Sequence, residues 1–386
     1  MRPLAGTRIL SIEQFAAGPY GTMLLGGMGA EVIKIENPTI GGDPARYTGP
    51  HLLGEADSQY FQTWNLNKKS ITLDLKSPAD RRRFEELVRG ADAVVNNLRG
   101  DLPAKLGLEY AVLGKLKPSI VCLHISAYGR DNARAAWPGY DYLMQAEAGL
   151  MSLTGEPGGP PVRFGSPSPI DYSTGLTAMI GLLGAMLGAR RTGVGCDVDV
   201  CLMDVALQQL GYAATWQLNS GGGAERQARS GHYSVAPCQT FPTADGWIFV
   251  MCVTQKFWEA LVEVIGRSDL ASDPRFLANR DRFANNAVLT QILDEVFLTR
   301  PTADWLKALS GVLPVAPVFD VAQALASPFV AEAGMIQPAP HAARPDLRML
   351  SSPIKIDGGR GRPAVCPPMG ADNAEVLGEP VAPVAG

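Results

Sequence analysis

Strand and helix alternate along the first 130 residues, and that alternation narrows the fold more than any other feature of the chain. "TRILSIE" reads as a buried strand, "GPYGTMLLGGMG" as a helix and "AEVIKIE" as a second buried strand. Pro19 stands just inside the helix start, where a missing N–H leaves no hydrogen bond unmade. "ITLDL" reads as the next strand, and Ser77, Pro78 and Asp80 open a helix that stops at Gly90. "ADAVVNNL" and "PSIVCLHISAYG" supply two more apolar strands. The pattern predicts an α/β fold with a Rossmann-like, doubly wound parallel sheet.

Further on, a long helix is expected from about residue 172, then a strand in "TGVGCDVDVCL" and a helix over "MDVALQQLGYAATWQLNS". Composition breaks at "NSGGGAERQARSGH". The expected division is a large domain over 1–218, a flexible linker over 219–229 and a small α/β domain over 230–325. The remainder, 326–386, is proline-rich and ends in a loose tail, "EPVAPVAG".

Composition excludes several classes. A formal net charge of -4 without a basic block speaks against nucleic acid as a partner. The six cysteines are scattered, with no C-x-x-C pair, and read as reduced, buried thiols of a cytoplasmic protein. The uncharged run Tyr172 to Ala189 approaches membrane-spanning length, but its glycines, serine and threonines suit a buried helix, so no membrane partner is expected. The four histidines are far apart, so no metal site is expected, and no G-x-S-x-G marks a serine hydrolase. Glu36 follows a glycine-bearing first turn, as in dinucleotide-binding folds. That turn reads "AAGPYG", however, and Pro19 removes an N–H that a phosphate would need.

The informative stretch is "SPSPIDYSTG", in which Asp171 opens the long apolar helix. Two readings stand side by side. Asp171 caps the helix, or the helix holds Asp171 in a site. In either case a carboxylate at a helix N-terminus meets unpaired N–H groups and the positive end of the dipole, which predicts an ionised group. Ser173 and Gly175 leave room beside it.

The chain resembles the family III CoA-transferases, the group containing formyl-CoA transferase and the carnitine-type CoA-transferases. The likeness is carried in order by "AAGPYGTMLLGGMGAEVIKIE", "GGDPARYTGP", "NLNKKSITLDL", "ADAVVNNLRG", "AKLGLEY", "PGYDYLMQ", "SPIDYSTG" and "RRTGVGCDVDVCLMDVAL". "APCQTFPTADGWIFV" and "PPMGADNAEVL" extend it. The resemblance places the family's nucleophile at Asp171 and implies double displacement through an aspartyl-CoA thioester. It also implies two identical subunits interlocked as a homodimer. Coenzyme A enters as part of the substrate, an acyl-CoA exchanging with a carboxylic acid such as a short dicarboxylate, and no tightly bound cofactor is implied.

The same resemblance places Gln14, Phe15, Ala16 and Ala17 along the pantetheine and adenosine, and Asn97 on the CoA backbone. Lys68, Lys69 and Lys105 fall near the phosphates, Leu106 is a further CoA-binding residue, and Tyr140 and Asp141 lie beside the CoA; each lysine equally suits a solvated surface charge. Arg46 and Arg163 are candidates to hold the acceptor carboxylate, or to form structural salt bridges. The family also contains α-methylacyl-CoA racemases, which carry a histidine where this chain has Tyr140. A phenol, ordinarily titrating at about 10, is a poor base for an α-proton at neutral pH. That departure favours transfer over racemisation. A catalytically silent CoA-binding subunit is the remaining alternative. "GGG" at 221–223 comes too early for the glycine loop of formyl-CoA transferase and reads as linker.

Overall fold

Six parallel strands run in the order β3-β2-β1-β4-β5-β6 in the computed structural model, which describes residues 1–165 and 167–378. They are β1 (Arg8–Ile12), β2 (Glu31–Glu36), β3 (Lys68–Thr72), β4 (Ala93–Asn96), β5 (Val121–Ser126) and β6 (Asp197–Cys201). This is the doubly wound order, in which the chain reverses direction across the sheet between β1 and β4. β3 lies earlier than the "ITLDL" reading. Its register with β2, from Val32↔Lys68 to Glu36↔Thr72, ends the strand where β2 ends.

Alternation along the strands separates two chemistries. One face carries Leu10, Ile33, Ile71, Val94 and Cys122, which pack with Phe84 and Val88 of the helix Pro78–Gly90 into an apolar core. Ser11, Lys34, Lys68 and Ser70 occupy the alternate positions and are equally buried. Their charges are matched within the protein, as described below.

Two helices set the position of the candidate site. α1 (Ala17–Gly27) follows β1, and α5 (Pro169–Thr192) lies in the crossover from β5 to β6; the label leaves α2 for Gln59–Asn65, α3 for Pro78–Gly90 and α4 for Asp141–Glu147. α5 is long and apolar enough to cross a membrane. It packs instead against α1, β5 and β6 within the α/β unit. The crossing with α1 is close: a Cβ on Gly175 would stand 2.5 Å from the Ala17 carbonyl oxygen, and one on Gly21 would stand 2.9 Å from the Gly175 carbonyl. Only glycine permits that approach.

The chain divides into two compact units, and the boundaries differ from those expected. The first unit comprises Met1–Ala148, Gly165–Gln209 and Pro328–Gly386, and the second Gly149–Phe164 and Leu210–Ser327. The helix expected after β6 breaks into Leu202–Gln208 and Tyr212–Ser220, with Gly211 at a φ of +56° between them. The unit boundary falls at that break, ahead of residue 218. Residues 219–229 are not a free linker, because the Arg226 guanidinium donates to the carbonyls of Met151, Ser152, Gly159 and Pro160. The tail from residue 379 lies outside the described residues.

The second unit contains a three-stranded antiparallel sheet, β7 (Cys238–Pro242), β8 (Trp247–Met251) and β9 (Val315–Pro317). Helices Gln255–Val264, Asn286–Phe297 and Thr302–Leu309 pack on it around Trp258, Phe297 and Trp305. Pro301 separates the last two helices.

Candidate active site

A doubly wound sheet leaves a crevice at the carboxyl ends of its strands where the order reverses. Here a cavity of about 210 Å³ opens there. Its walls come from the loops after β1 (Gln14–Ala17), β4 (Asn97–Arg99) and β5 (Ser126, Ala127), together with Tyr140 and Asp171.

The loop after β1 is held in an unusual shape. Phe15 has a φ of +59°, a left-handed conformation that costs a non-glycine residue energy and persists only where neighbours impose it. Asn97 accepts from the Gln14 amide at 2.8 Å and donates to the Gln14 carbonyl at 2.7 Å. Asp43 Oδ1 accepts from the Phe15 amide at 3.1 Å. The Phe15 ring then meets the Tyr140 ring edge to face, 5.8 Å between centroids.

A buried charge network supports this loop. Lys68 donates to Glu13 Oε1 at 2.8 Å, to the Pro19 carbonyl and to Asn65. Lys34 donates to the Glu13 carbonyl and is ion-paired with Asp43 at 2.9 Å. Burial alone would raise the Glu13 carboxyl, but Lys68 and Lys34 hold it below the ordinary range. Burial pushes the Lys68 ammonium down to about 8 despite Glu13. Arg46 is fully buried, pairs with both Glu36 oxygens and stacks 3.9 Å over Phe61.

Asp171 stands in the first turn of α5, behind Pro169. It does not cap the helix. Asp141, on α4, supplies the cap: its Oδ2 accepts from the Ile170 amide at 2.6 Å and the Asp171 amide at 3.0 Å. The Asp171 carboxyl is therefore free of that duty, and no lysine or arginine among the described residues is ion-paired with it. Burial, then the charge of Asp141, raises it to about 7, against a weaker lowering by a Ser168 hydrogen bond. The expectation that Asp171 draws on the free N–H groups of its own helix is thus corrected: Asp141 accepts from those amides, and burial followed by the Asp141 charge raises the Asp171 carboxyl. Burial, then the nearby Asp171 charge, pushes the Tyr60 phenol up to about 12. Tyr172 continues an aromatic wall through Trp64 and Tyr20, with centroids 5.0 and 4.5 Å away.

Of the expected site residues, the structure brings Gln14, Phe15, Ala16, Ala17, Asn97, Tyr140 and Asp171 to this one cavity. Asp141 is buried beneath it, engaged with α5 and with Gln145. Lys68 is sealed in the charge network, with its ammonium on three protein oxygens, and has no donor to offer a phosphate. Lys69 lies at the amino end of the sheet between Glu31 and Glu375, away from the cavity. Lys105 is exposed and paired with Asp101 at 2.6 Å. Arg46 is committed to Glu36, and Arg163 belongs to the second unit. Leu106 lines a second cavity of about 260 Å³ with Gln14, Ile40, Leu73, Lys76, Leu98 and Leu102.

Sequence reasoning missed Ser126, Ala127, Leu98, Arg99 and Lys76. Applying the carboxyl-end rule to β4 and β5 would have found the first four. Among the described residues no group of three His, Cys, Asp or Glu is placed to hold a metal. Five cysteines are buried and all six are free, but Cys196 is exposed, unlike the buried thiol expected.

The sequence model of CoA-transferase family III matches residues 4–373, nearly the whole chain. The chain belongs to CoA-transferase family III. The enzyme is 35% identical over 359 residues to an acetyl-CoA:oxalate CoA-transferase of Acetobacter aceti, covering 92% of this chain and 90% of the relative. It is 32% identical over 393 residues to a succinate–glutarate CoA-transferase of Agrobacterium fabrum, covering 98% and 95%. Among solved structures, a CaiB/BaiF family protein from Brucella suis superposes with a TM-score of 0.83 at 31% identity, covering 97% of this CoA-transferase and 98% of that chain.

Proposed function

We propose that this CoA-transferase moves CoA from an acyl-CoA to a small carboxylic acid through a covalent intermediate on Asp171. The observation that carries this reading is the Asp171 carboxyl, ion-paired with no cation among the described residues, in the cavity at the reversal point of the sheet. In its ionised form it attacks the thioester carbonyl and expels CoA thiolate, forming a mixed anhydride. The thiolate returns to the aspartyl carbonyl, releasing the donor acid and leaving an aspartyl-CoA thioester. The acceptor carboxylate attacks that thioester, again expelling thiolate, and the thiolate takes the acceptor's acyl carbon. Asp171 is regenerated, and no net proton is consumed.

Neighbouring groups suit each part of the substrate. The first amide of α1, at Ala17, has no side-chain cap and lies at the cavity wall, where it favours a developing oxyanion. The second cavity shares Gln14 and Leu98 with the first, and its leucines offer an apolar slot for the adenine ring. Arg99, Lys76 and Lys105 are exposed cations suited to the phosphates. A short dicarboxylate is the proposed acceptor class, in keeping with the oxalate and glutarate named for the relatives.

We further propose a homodimer. Leu176, Ile180 and Leu187 of α5 are 45%, 74% and 74% exposed on the face turned from the core, a stripe that a second copy would cover. Light scattering on the purified protein reads the mass directly.

The decisive test is to incubate the enzyme with succinyl-CoA, acetyl-CoA and other acyl-CoAs, digest it, and search by mass spectrometry for CoA on the Asp171 peptide. An adduct in the wild type and none in Asp171→Ala is expected. No adduct with any donor, together with deuterium uptake at the α-carbon of a branched acyl-CoA, would falsify the transfer reading in favour of racemisation.

A further inference from the structure

We infer that Asp141 is a positioning residue for Asp171: from a neighbouring helix it caps α5, holding the nucleophile's backbone while keeping its own negative charge beside the reacting carboxyl. The inference rests on the reading of Asp171 as nucleophile, and goes beyond it by assigning Asp141 a task other than contact with CoA.

The geometry is specific. α5 begins at Pro169 without a cap from its own chain, since the Ser168 side chain accepts from no helix amide. One oxygen of Asp141 takes both the Ile170 and the Asp171 amides. The other accepts from Gln145 Nε2 at 2.5 Å, one turn along α4, so the carboxylate is anchored on its own helix as well. Asp141 is 3% exposed and is therefore fixed in place. Tyr140 precedes it and lines the cavity, so the turn that shapes the cavity wall also sets the cap.

The consequence is a trade that an intrahelical serine or threonine cap would not make. A neutral cap would satisfy the amides without adding charge, whereas a carboxylate satisfies them and also opposes ionisation of Asp171. The other ionisable groups facing Asp171 are the Tyr60 phenol from α2 and the Tyr172 phenol on α5 itself. Both phenols are raised and so neutral near pH 7, which leaves Asp141 as the facing charge that adds to the larger effect of burial. In its ionised form, an Asp171 carboxylate opposed by Asp141 is more basic, and so a stronger nucleophile toward the thioester carbonyl, than a carboxylate held by helix amides would be.

Two variants separate the roles. Asp141→Asn keeps an oxygen acceptor for the amides and removes the charge, whereas Asp141→Ala removes both. The first measurement uses no acyl-CoA: the pH dependence of carbodiimide-mediated labelling of Asp171, read by peptide mass spectrometry. The second is amide hydrogen exchange of the peptide that opens α5. Asp141→Asn is expected to move the labelling midpoint to lower pH while leaving exchange near wild type. Asp141→Ala is expected to speed exchange at the start of α5 about fivefold, the factor that corresponds to a lost helix cap. An unchanged midpoint in Asp141→Asn, or unchanged exchange in Asp141→Ala, overturns the inference. Both readouts are independent of CoA chemistry. If they move as expected while no acyl-CoA forms an adduct, the positioning role stands and the proposed function fails.

Discussion

Gly21 of α1 and Gly175 of α5 cross with their backbones in contact, and a Cβ on Gly21 would also stand 2.9 Å from the Met179 side chain. This crossing places the first turn of α5, and with it Asp171, against the loop after β1. Gly175→Ala would drive a methyl into the Ala17 carbonyl, which is backbone and cannot swing aside. Overpacking of this kind costs about 1–3 kcal/mol, so denaturant unfolding of Gly175→Ala should show a loss in that range. Because the displaced helix carries Asp171, the proposed nucleophile, activity should fall by more than the unfolded fraction explains. Gly184, which meets nothing within 4 Å, is the control: Gly184→Ala should be neutral or stabilising.

Asp171 links stability to pH. Its carboxyl is raised from the ordinary aspartate range to about 7 in the folded protein, so the folded state holds a proton that the unfolded chain has lost. Its contribution is full below the unfolded value and is lost as pH rises through the folded one. Asp171→Asn mimics the protonated form permanently. The variant should therefore be more stable than wild type at pH 8, by up to about 4 kcal/mol, and nearly equal to it at about pH 4. Urea unfolding at the two pH values checks this, and a gain that is equal at both removes the link.

Asn97 closes both hydrogen bonds of the Gln14 backbone, and Asn97→Ala leaves a half-buried N–H and C=O without partners. The expected loss of stability is about 1–3 kcal/mol. More telling is the effect on the strained Phe15 turn, which loses one of its two restraints. kcat/KM for the acyl-CoA should fall at least about tenfold, a change of about 1.4 kcal/mol in transition-state binding, beyond what lowered stability accounts for. An unaltered kcat/KM would show that Asp43 alone holds the turn.

Lys68 and Lys105 should behave oppositely, although both are lysines near the loops that carry the resemblance. Lys68→Met removes the ion-pair partner of the buried Glu13 and leaves it beside a Lys34 already paired with Asp43, for which about 3–5 kcal/mol of destabilisation is expected. The double variant Glu13→Gln with Lys68→Met should recover much of that loss. Lys105→Ala should leave thermal unfolding unchanged, since a single exposed ion pair contributes about 0–1 kcal/mol, and should raise KM for acyl-CoA at low salt. A stability loss in Lys105→Ala, or none in Lys68→Met, would reverse the assignment of these two residues.

The doubly wound sheet was legible in the sequence because apolar strands recur with helices between them, a local pattern that burial on both faces imposes. Asp171 was legible too, as the lone carboxylate before a long uncharged helix that begins with proline and small residues. What a carboxylate does there was not legible. Whether it caps its helix depends on who else reaches the same amides, and that partner, Asp141, comes from another helix. The fates of Lys68, Lys69 and Arg46 were hidden for the same reason: a lysine reads alike whether it faces water or a buried glutamate, and only the folded sheet brings Lys68 to Glu13 across 55 positions of chain. Domain limits failed where a glycine at positive φ broke a helix and an arginine tied down an apparent linker. Periodicity and composition record what each residue does with its neighbours in sequence. The raised titration of Asp171, the clamp on Gln14 and the buried pairing of charges arise from groups distant in sequence, and only the tertiary structure decided them.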